Sequence, residues 1–281
     1  MSEPSSGILE KHLPGRRWEL QRPAAGWRKS CFVAISGDDK YFLKFDVPVE
    51  LLKRLGEIRV APKVLFSGEC DGTPYVIQEF IAGVQPQGHA WMRRHVDELV
   101  AIIKTYHEDG QLRAELAKTC PTNLKQHLSR DLRWLSRRFR HCRASYLQTL
   151  AIQRGYERLL STSSALSSER LVPIHNDPSP TNILLADGNF IFVDWDEITL
   201  SDPMRDIGLL LWWNFPPDQW RGFFEEYGME LTGPRLAKIY WFAARASLDI
   251  ALWHAEHGVD GQGFVTDFLA ALNGQPNPQG Y

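Results

Sequence analysis

The chain has 281 residues, 43% hydrophobic and 23% charged, with a formal net charge of −2. This is ordinary globular usage over a length that suits two lobes better than one small core. The near-neutral charge gives no support for nucleic acid or a membrane surface as a partner of the whole molecule. Cys31, Cys70, Cys120 and Cys142 are widely spaced and include no C-x-x-C pair. That argues against a zinc site or a disulfide scaffold and for free thiols in a reducing compartment, so the expected location is cytoplasmic. Residues 1–15 lack the apolar core of a signal peptide, and the longest apolar run, 207–213, is far short of the roughly 20 residues that span a bilayer.

In chain order, residues 31–35 and 41–45 read as two strands joined by the turn Gly37-Asp38-Asp39, a β-hairpin. Lys44 lies in the second strand between Leu43 and Phe45, a pattern that the solvent face of any strand could produce. A short helix over 49–55 follows, with Glu50 at its start and Glu57 just past its end. Two more strands, 63–67 and 74–80, flank the turn-rich 68–72, and the second runs into Gln78-Glu79-Phe80-Ile81-Ala82-Gly83.

Beyond residue 83 the period changes to 3.6. Residues 91–107 predict one helix with Val96, Leu99, Ile102, Ile103 and Tyr106 on a stripe, ending in Tyr106-His107. Residues 123–160 predict a single long helix, with Leu124, Leu128, Leu132, Leu135, Phe139 and Tyr146 spaced for burial. Its other face carries Arg130, Arg133, Arg137, Arg140 and Arg143 and reads as solvated. Near the C-terminus, 209–214, 218–227 and 235–257 predict three helices, and the Gly/Pro/Asn-rich stretch from residue 271 reads as a frayed end.

The segment 171–208, LVPIHNDPSPTNILLADGNFIFVDWDEITLSDPMRDIG, carries the chemistry. It holds His175-x-Asp177, then Asn182 five residues after Asp177, then Asp194 twelve residues further, with a hairpin signalled by Asp187-Gly188-Asn189 between them. One carboxylate can orient an attacking hydroxyl and accept its proton. An amide and a second carboxylate are hard oxygen ligands of the kind Mg²⁺ prefers. Asp177 and Asn182 flank two prolines and would otherwise be ordinary turn residues. Asp194 follows the apolar 191–193, where an acid needs a compensating partner or metal.

This segment resembles the catalytic core of the aminoglycoside phosphotransferase and choline kinase-like families, relatives of the protein kinases. His175-Asn176-Asp177-Pro178-Ser179-Pro180-Thr181-Asn182 stands where kinases carry H-R-D-x-x-x-x-N. Asp194-Trp195-Asp196 stands for D-F-G. Asp202-Pro203-Met204-Arg205-Asp206 matches a trailing D-P-x-x-D. The resemblance implies an α+β, two-lobed protein-kinase-like fold, with a small, mainly antiparallel β lobe over 1–82 and a larger helical lobe over 83–281.

It also implies ATP, with GTP as the alternative, and Mg²⁺ as cofactors. On this reading Asp177 is the catalytic residue, and Asn182 and Asp194 are the metal ligands. His175 and Asp206 brace the loop. Lys44 holds the nucleotide phosphates and is chosen over Lys40, because alternation is expected to turn only one of them inward. Glu50, in preference to Glu57, pairs with Lys44. Ser30, in the poorly glycine-rich loop 23–30, reaches phosphate, and Gln78, Glu79 and Ile81 form the linker that meets the base. Asp196 is either a supporting group or a substrate contact.

Acids outnumber bases near the C-terminus, and Glu225, Glu226, Asp249 and Glu256 are acceptor-binding candidates, with surface solubility as the plainer explanation. The expected reaction moves a γ-phosphoryl group to a hydroxyl of a small molecule, cationic if these acids line its pocket. An aminoglycoside-type antibiotic is the first acceptor, with choline, an amino sugar or another metabolite as alternatives. A catalytically silent binding protein on the same fold is the other reading. The oligomeric state is left open.

Overall fold

The computed structural model describes residues 3–23, 31–86, 88–168 and 170–280, and the expectation for Ser30 lies outside them. In chain order the elements are α1 (Glu3–His12), β1 (Glu19–Gln21), β2 (Cys31–Ser36), β3 (Asp39–Phe45), α2 (Val49–Glu57), β4 (Val64–Cys70) and β5 (Thr73–Glu79). Then come α3 (His89–Arg94), α4 (Val96–Glu108), α5 (Gly110–Leu116), α6 (Leu124–His141), α7 (Leu150–Thr162), β6 (Val172–Ile174), β7 (Ile183–Ala186), β8 (Asn189–Phe192) and β9 (Thr199–Ser201). Four helices complete the chain: α8 (Met204–Asn214), α9 (Trp220–Tyr227), α10 (Gly233–Glu256) and α11 (Gln262–Leu272). The architecture is α+β. No helix among the described residues is long and apolar enough to cross a membrane. The chain divides into two compact units, one of residues 1–85 with 183–196, the other of 86–182 with 197–281.

The first unit is built on a five-stranded antiparallel sheet, ordered β1-β2-β3-β5-β4. β3 sits in the middle, where its aromatic and aliphatic residues are paired on both sides. Leu43 lies opposite Phe32 on one side and Ile77 on the other. Leu43, Ala34, Tyr75 and Ile77 form a core with Ile8 and Leu9 of α1, and Tyr41 and Phe45 pack against it. Strand alternation therefore commits Tyr41, Leu43 and Phe45 to this core and puts Lys40, Phe42 and Lys44 together on the opposite face. The two lysines are four residues apart and share a face, so facing alone does not separate them, contrary to the expectation.

α2 buries Leu51, Leu52 and Leu55, and the helical period turns Glu50, Lys53, Arg54 and Glu57 outward. Glu57 is its last residue rather than lying past its end.

The hairpin β7–β8 groups with this first unit, although the sequence division at 82/83 counts it with the rest. Its turn is Asp187-Gly188, both at positive φ (51° and 76°). Backbone bonds explain the grouping. Val84 N–H donates to Leu185 O (3.0 Å), Leu185 N–H donates to Val84 O (2.9 Å), and Phe192 N–H donates to Val60 O (2.9 Å). A Cβ on Gly83 would meet Leu184 Cβ at 2.9 Å and Leu185 O at 3.2 Å. Gly83→Ala is therefore expected to cost about 1–3 kcal/mol through overpacking, read as a fall in thermal midpoint; an unchanged midpoint would show that the segment carries no tight contact.

In the second unit, β6 and β9 pair antiparallel, with Val172 opposite Ser201 and Ile174 opposite Thr199. This two-stranded ladder brings the start of the 175–182 loop beside the start of α8. α8 crosses α10 closely, where a Cβ on Gly208 would meet Ile239 Cα at 3.1 Å. Trp212, Phe215, Trp220, Phe223, Phe224, Phe242 and Phe268 are fully buried in this helical layer.

Three helical expectations change. The helix expected over 91–107 is two helices, because His95 leaves helical geometry (φ −118°, ψ 33°) with its ring packed 4.3 Å from that of Trp91. The helix expected over 123–160 breaks after His141. Cys142 and Ala144 are extended, Tyr146 sits in a 3-10 turn, and the Thr149 side chain starts α7 by accepting the Ile152 N–H. Periodicity alone does not register such a break, because both halves keep an apolar stripe. The third change is at the C-terminus, which is tied down. Trp212 Nε1–H donates to Gln275 O (3.1 Å), and Gln279 Nε2 donates to both oxygens of Asp267 (3.0 and 2.9 Å). α1, α5, α11, β1, β6 and β9 have no counterpart in the sequence reading, mostly because short elements carry too few periods to be recognised.

Candidate active site

The 175–182 loop leaves β6 at Ile174 and is held from beneath by the carboxylate of Asp206, in the first turn of α8. His175 N–H donates to Asp206 Oδ2 (2.7 Å) and Asn176 N–H donates to Oδ1 (2.8 Å). Aiming two consecutive amides at one carboxylate goes with a left-handed residue, and Asn176 takes it (φ 75°), a conformation asparagine tolerates better than most residues. The His175 ring, fully buried, accepts the Asp177 N–H through Nδ1 (3.3 Å).

Asp177 itself is exposed. Asn182 closes the loop in the 3-10 turn Pro180–Asn182, and its Nδ2 donates to Asp177 O (3.0 Å) and Oδ2 (2.8 Å). With Nδ2 committed this way, Oδ1 is the atom of that amide suited to a hard cation.

Asp206 is fully buried. Beyond the two amides, its Oδ2 accepts from Tyr106 Oη (2.9 Å) and faces His107 Nε2 (3.3 Å). Burial pushes its carboxyl up. The hydrogen bonds that it accepts from His107 and from the His175 amide more than reverse this and hold it below the usual carboxylate range. Tyr106 and His107 lie in the last turn of α4, a position the periodicity marks without indicating a role. The ring of His107 also meets Tyr227 of α9, whose position in the sequence carries no signal for this site.

In the first unit, Trp195 is buried (1% exposed) and its Nε1–H donates to Phe192 O (2.9 Å). This anchors the turn in which Asp194 stands at positive φ (64°) and exposed, with Asp196 on its other side. Asp196 Oδ1 lies 3.9 Å from Lys44 Nζ, and both side chains are nearly buried (8% and 11% exposed). Lys40, by contrast, is exposed, with its Nζ over the Phe80 ring. Burial and an acidic partner, not strand facing, distinguish Lys44.

The expected Lys44–Glu50 pair does not form. Glu50 holds Lys53 (2.9 Å) and Glu57 holds Arg54 (3.2 Å) on the outer face of α2. The Gln78 side chain, 3% exposed, donates to Pro62 O (2.9 Å), and Glu79 Oε1 accepts the Lys63 N–H (2.7 Å). Both side chains thus fasten β5 to the chain entering β4, and Ile81 is half-buried.

Of the acceptor-binding candidates, Glu225 and Glu226 are exposed on α9. Asp249 and Glu256 are both ion-paired. Arg138 pairs with both, and Arg245 pairs with Asp249 (2.9 Å). Arg245 also pairs with Asp131 (2.5 Å), which in turn faces Arg205 (3.4 Å), so α6, α8 and α10 are joined by alternating charges. Burial raises the Asp131 carboxyl, and Arg245 and Arg205 outweigh it, leaving it below its ordinary value. Asp131 lies inside the predicted basic helix, where its spacing carries no sign of this role.

The chain is 44% identical to protein LicA of Haemophilus influenzae over 41 residues, which span 15% of this chain and 15% of that relative's length. In fold it is similar to a choline/ethanolamine kinase family protein from Mesorhizobium loti, with a TM-score of 0.69, 17% identity, and 98% of this chain and 94% of the other covered. It is also similar to the GDP complex of wild-type aminoglycoside 2'-phosphotransferase-IIIa, with a TM-score of 0.65, 16% identity and 96% of each chain covered. The model of the phosphotransferase enzyme family matches residues 19–242, and the chain belongs to that family.

Proposed function

We propose that this phosphotransferase moves the γ-phosphoryl group of ATP, with GTP as the alternative donor, to a hydroxyl of a small molecule in the cytoplasm. The observation that carries the reading is the exposed Asp177 carboxylate on a loop pinned through two backbone amides to a buried aspartate. A rigid, solvent-facing base is what alignment of an acceptor hydroxyl requires.

Asp177 receives the hydroxyl's hydrogen bond and takes its proton as the hydroxyl oxygen bonds to the γ-phosphorus and the bond from that phosphorus to the β–γ bridging oxygen breaks, releasing the nucleoside diphosphate. Lys44, beside Asp196, neutralises phosphate oxygens. Asn182 and Asp194 are the side chains assigned to Mg²⁺, and their hard oxygens suit it. When bound, the ion neutralises charge on the phosphates. Catalysis is then mainly positioning and charge stabilisation.

An aminoglycoside-type antibiotic is the first acceptor class proposed, in line with the aminoglycoside phosphotransferase similarity. A choline- or ethanolamine-type amino alcohol is the second, in line with the Mesorhizobium loti protein. The pairing of Asp249 and Glu256 with arginines leaves Glu225 and Glu226 as the acids for a cationic acceptor. Consumption of ATP or GTP by the purified protein with Mg²⁺, against a panel of both classes, tests the proposal. No acceptor-dependent consumption with any member would reject it.

Three variants check individual roles. Lys44→Ala should weaken nucleotide use by roughly 10–100-fold, the loss of a charge-assisted contact, whereas Glu50→Ala should stay within about twofold. Equal effects would return Glu50 to the site. Asp194→Ala should remove the Mg²⁺ dependence of nucleotide binding, measured by titration calorimetry with and without Mg²⁺; retained dependence would take Asp194 off the metal.

A further inference from the structure

Tyr227 ends α9, and its hydroxyl lies 2.8 Å from His107 Nδ1, while His107 Nε2 lies 3.3 Å from Asp206 Oδ2. His107 and Asp206 are fully buried and Tyr227 is 8% exposed, so no bulk water substitutes for a missing partner here. A carboxylate only accepts, so Nε2 is the ring nitrogen that carries a proton toward Asp206. Burial, with Glu108 nearby, pushes the Tyr227 phenol well above its ordinary value, so the phenol stays O–H and donates. The chain then runs Tyr227 O–H to Nδ1, and Nε2–H to the carboxylate. In this order the imidazole is neutral and both of its nitrogens are satisfied.

We propose that Tyr227 is a positioning residue for the 175–182 loop: by donating to His107 it sets the tautomer and orientation of that ring, which fixes the carboxylate from which the His175 and Asn176 amides hang. The contact ties α9 to the loop that presents Asp177. Without the hydroxyl, His107 Nδ1 is a buried acceptor with no donor. The ring must then rotate, change tautomer or take up a proton, and each of these disturbs Asp206 Oδ2. This inference rests on the phosphotransfer reading for its kinetic consequence, but not for its structural one.

The test uses the full chain with ¹⁵N-labelled histidine, His107 being assigned by its absence in His107→Gln. In the unsubstituted protein His107 is expected as the neutral Nε2–H tautomer with an accepting Nδ1. Observation of the Nδ1–H tautomer overturns the proposal without any variant. Tyr227→Phe keeps the ring and removes only the hydroxyl. It is expected to shift the His107 ¹⁵N signals and to speed hydrogen exchange at the His175 and Asn176 amides. With an identified acceptor, kcat should fall between about tenfold and about 100-fold, the range for a small misplacement of catalytic groups, with KM for ATP within about twofold.

Wild-type exchange at both amides, or an unchanged kcat despite altered His107 signals, removes Tyr227 from the positioning role. If no acceptor is ever turned over, the phosphotransfer reading fails, while the tautomer and exchange measurements still decide the contact.

Discussion

Asp177→Asn is expected to lower turnover by roughly 10²–10⁴-fold, the range for general-base assistance, with near-normal affinity for Mg²⁺-nucleotide and a near-normal thermal midpoint. The structure shows why the effect should separate so cleanly. Asp177 is exposed, so its charge contributes little to the core. The loop is held by Asp206 acting on the His175 and Asn176 amides, and Asp177 has no part in those bonds. Asn182 Nδ2 donates to Asp177 Oδ2, and an asparagine at 177 still offers one side-chain oxygen to receive it. The orientation of Asn182 thus survives, and what disappears is the negative charge and the basicity. Asp177→Ala removes that acceptor as well and should add a weakening of Mg²⁺ binding that Asp177→Asn lacks. A transition state of loose, dissociative character needs less help from a base, which would put the loss at the low end of the range. Full turnover by Asp177→Asn on an identified acceptor would remove the main support for the proposed roles in this segment.

Asp206→Ala is expected to cost at least about 3 kcal/mol, because each buried donor left without its acceptor costs about 1–3 kcal/mol. That is a large part of the 5–15 kcal/mol typical of a folded domain, so the variant should melt far below the parent protein. The substitution leaves two backbone amides, the Tyr106 hydroxyl and the His107 ring facing a buried gap. The pH dependence follows from the same contacts. The folded-state carboxyl of Asp206 lies below its ordinary value, so folding favours the ionised form. Its contribution is fully present above the unfolded value of about 3.9 and is lost as pH falls through the lower folded value. Urea unfolding between pH 7 and pH 3 should show this loss in the parent protein and a shallower acid limb in Asp206→Asn. Equal slopes in the two would mean that Asp206 is not what the acid limb reports.

The sequence by itself determined the parts of this protein that local spacing encodes. The β2–β3 and β7–β8 hairpins announce themselves through Gly37-Asp38 and Asp187-Gly188 between apolar runs. The order His175, Asp177, Asn182, Asp194 and Asp206 is a chemical pattern legible without coordinates, and with it came the family and the α+β, two-lobed fold class. Only the tertiary structure decided which charges meet. Lys44 pairs with Asp196, about 150 residues away in the chain, and not with nearby Glu50, because burial of Leu51, Leu52 and Leu55 turns Glu50 outward. Asp249 and Glu256 read as free acids until packing of α6 on α10 places Arg138 against both, while Arg245, one turn before Asp249 on α10, is a local partner of Asp249. His107 reaches Asp206 from α4, and Tyr227 reaches His107 from α9. Spacing reports which face of its own element a residue occupies. Partners on separate elements depend on how those elements pack, because an ion pair or a buried hydrogen bond is selected by desolvation and distance in three dimensions, and neither has a period in the chain.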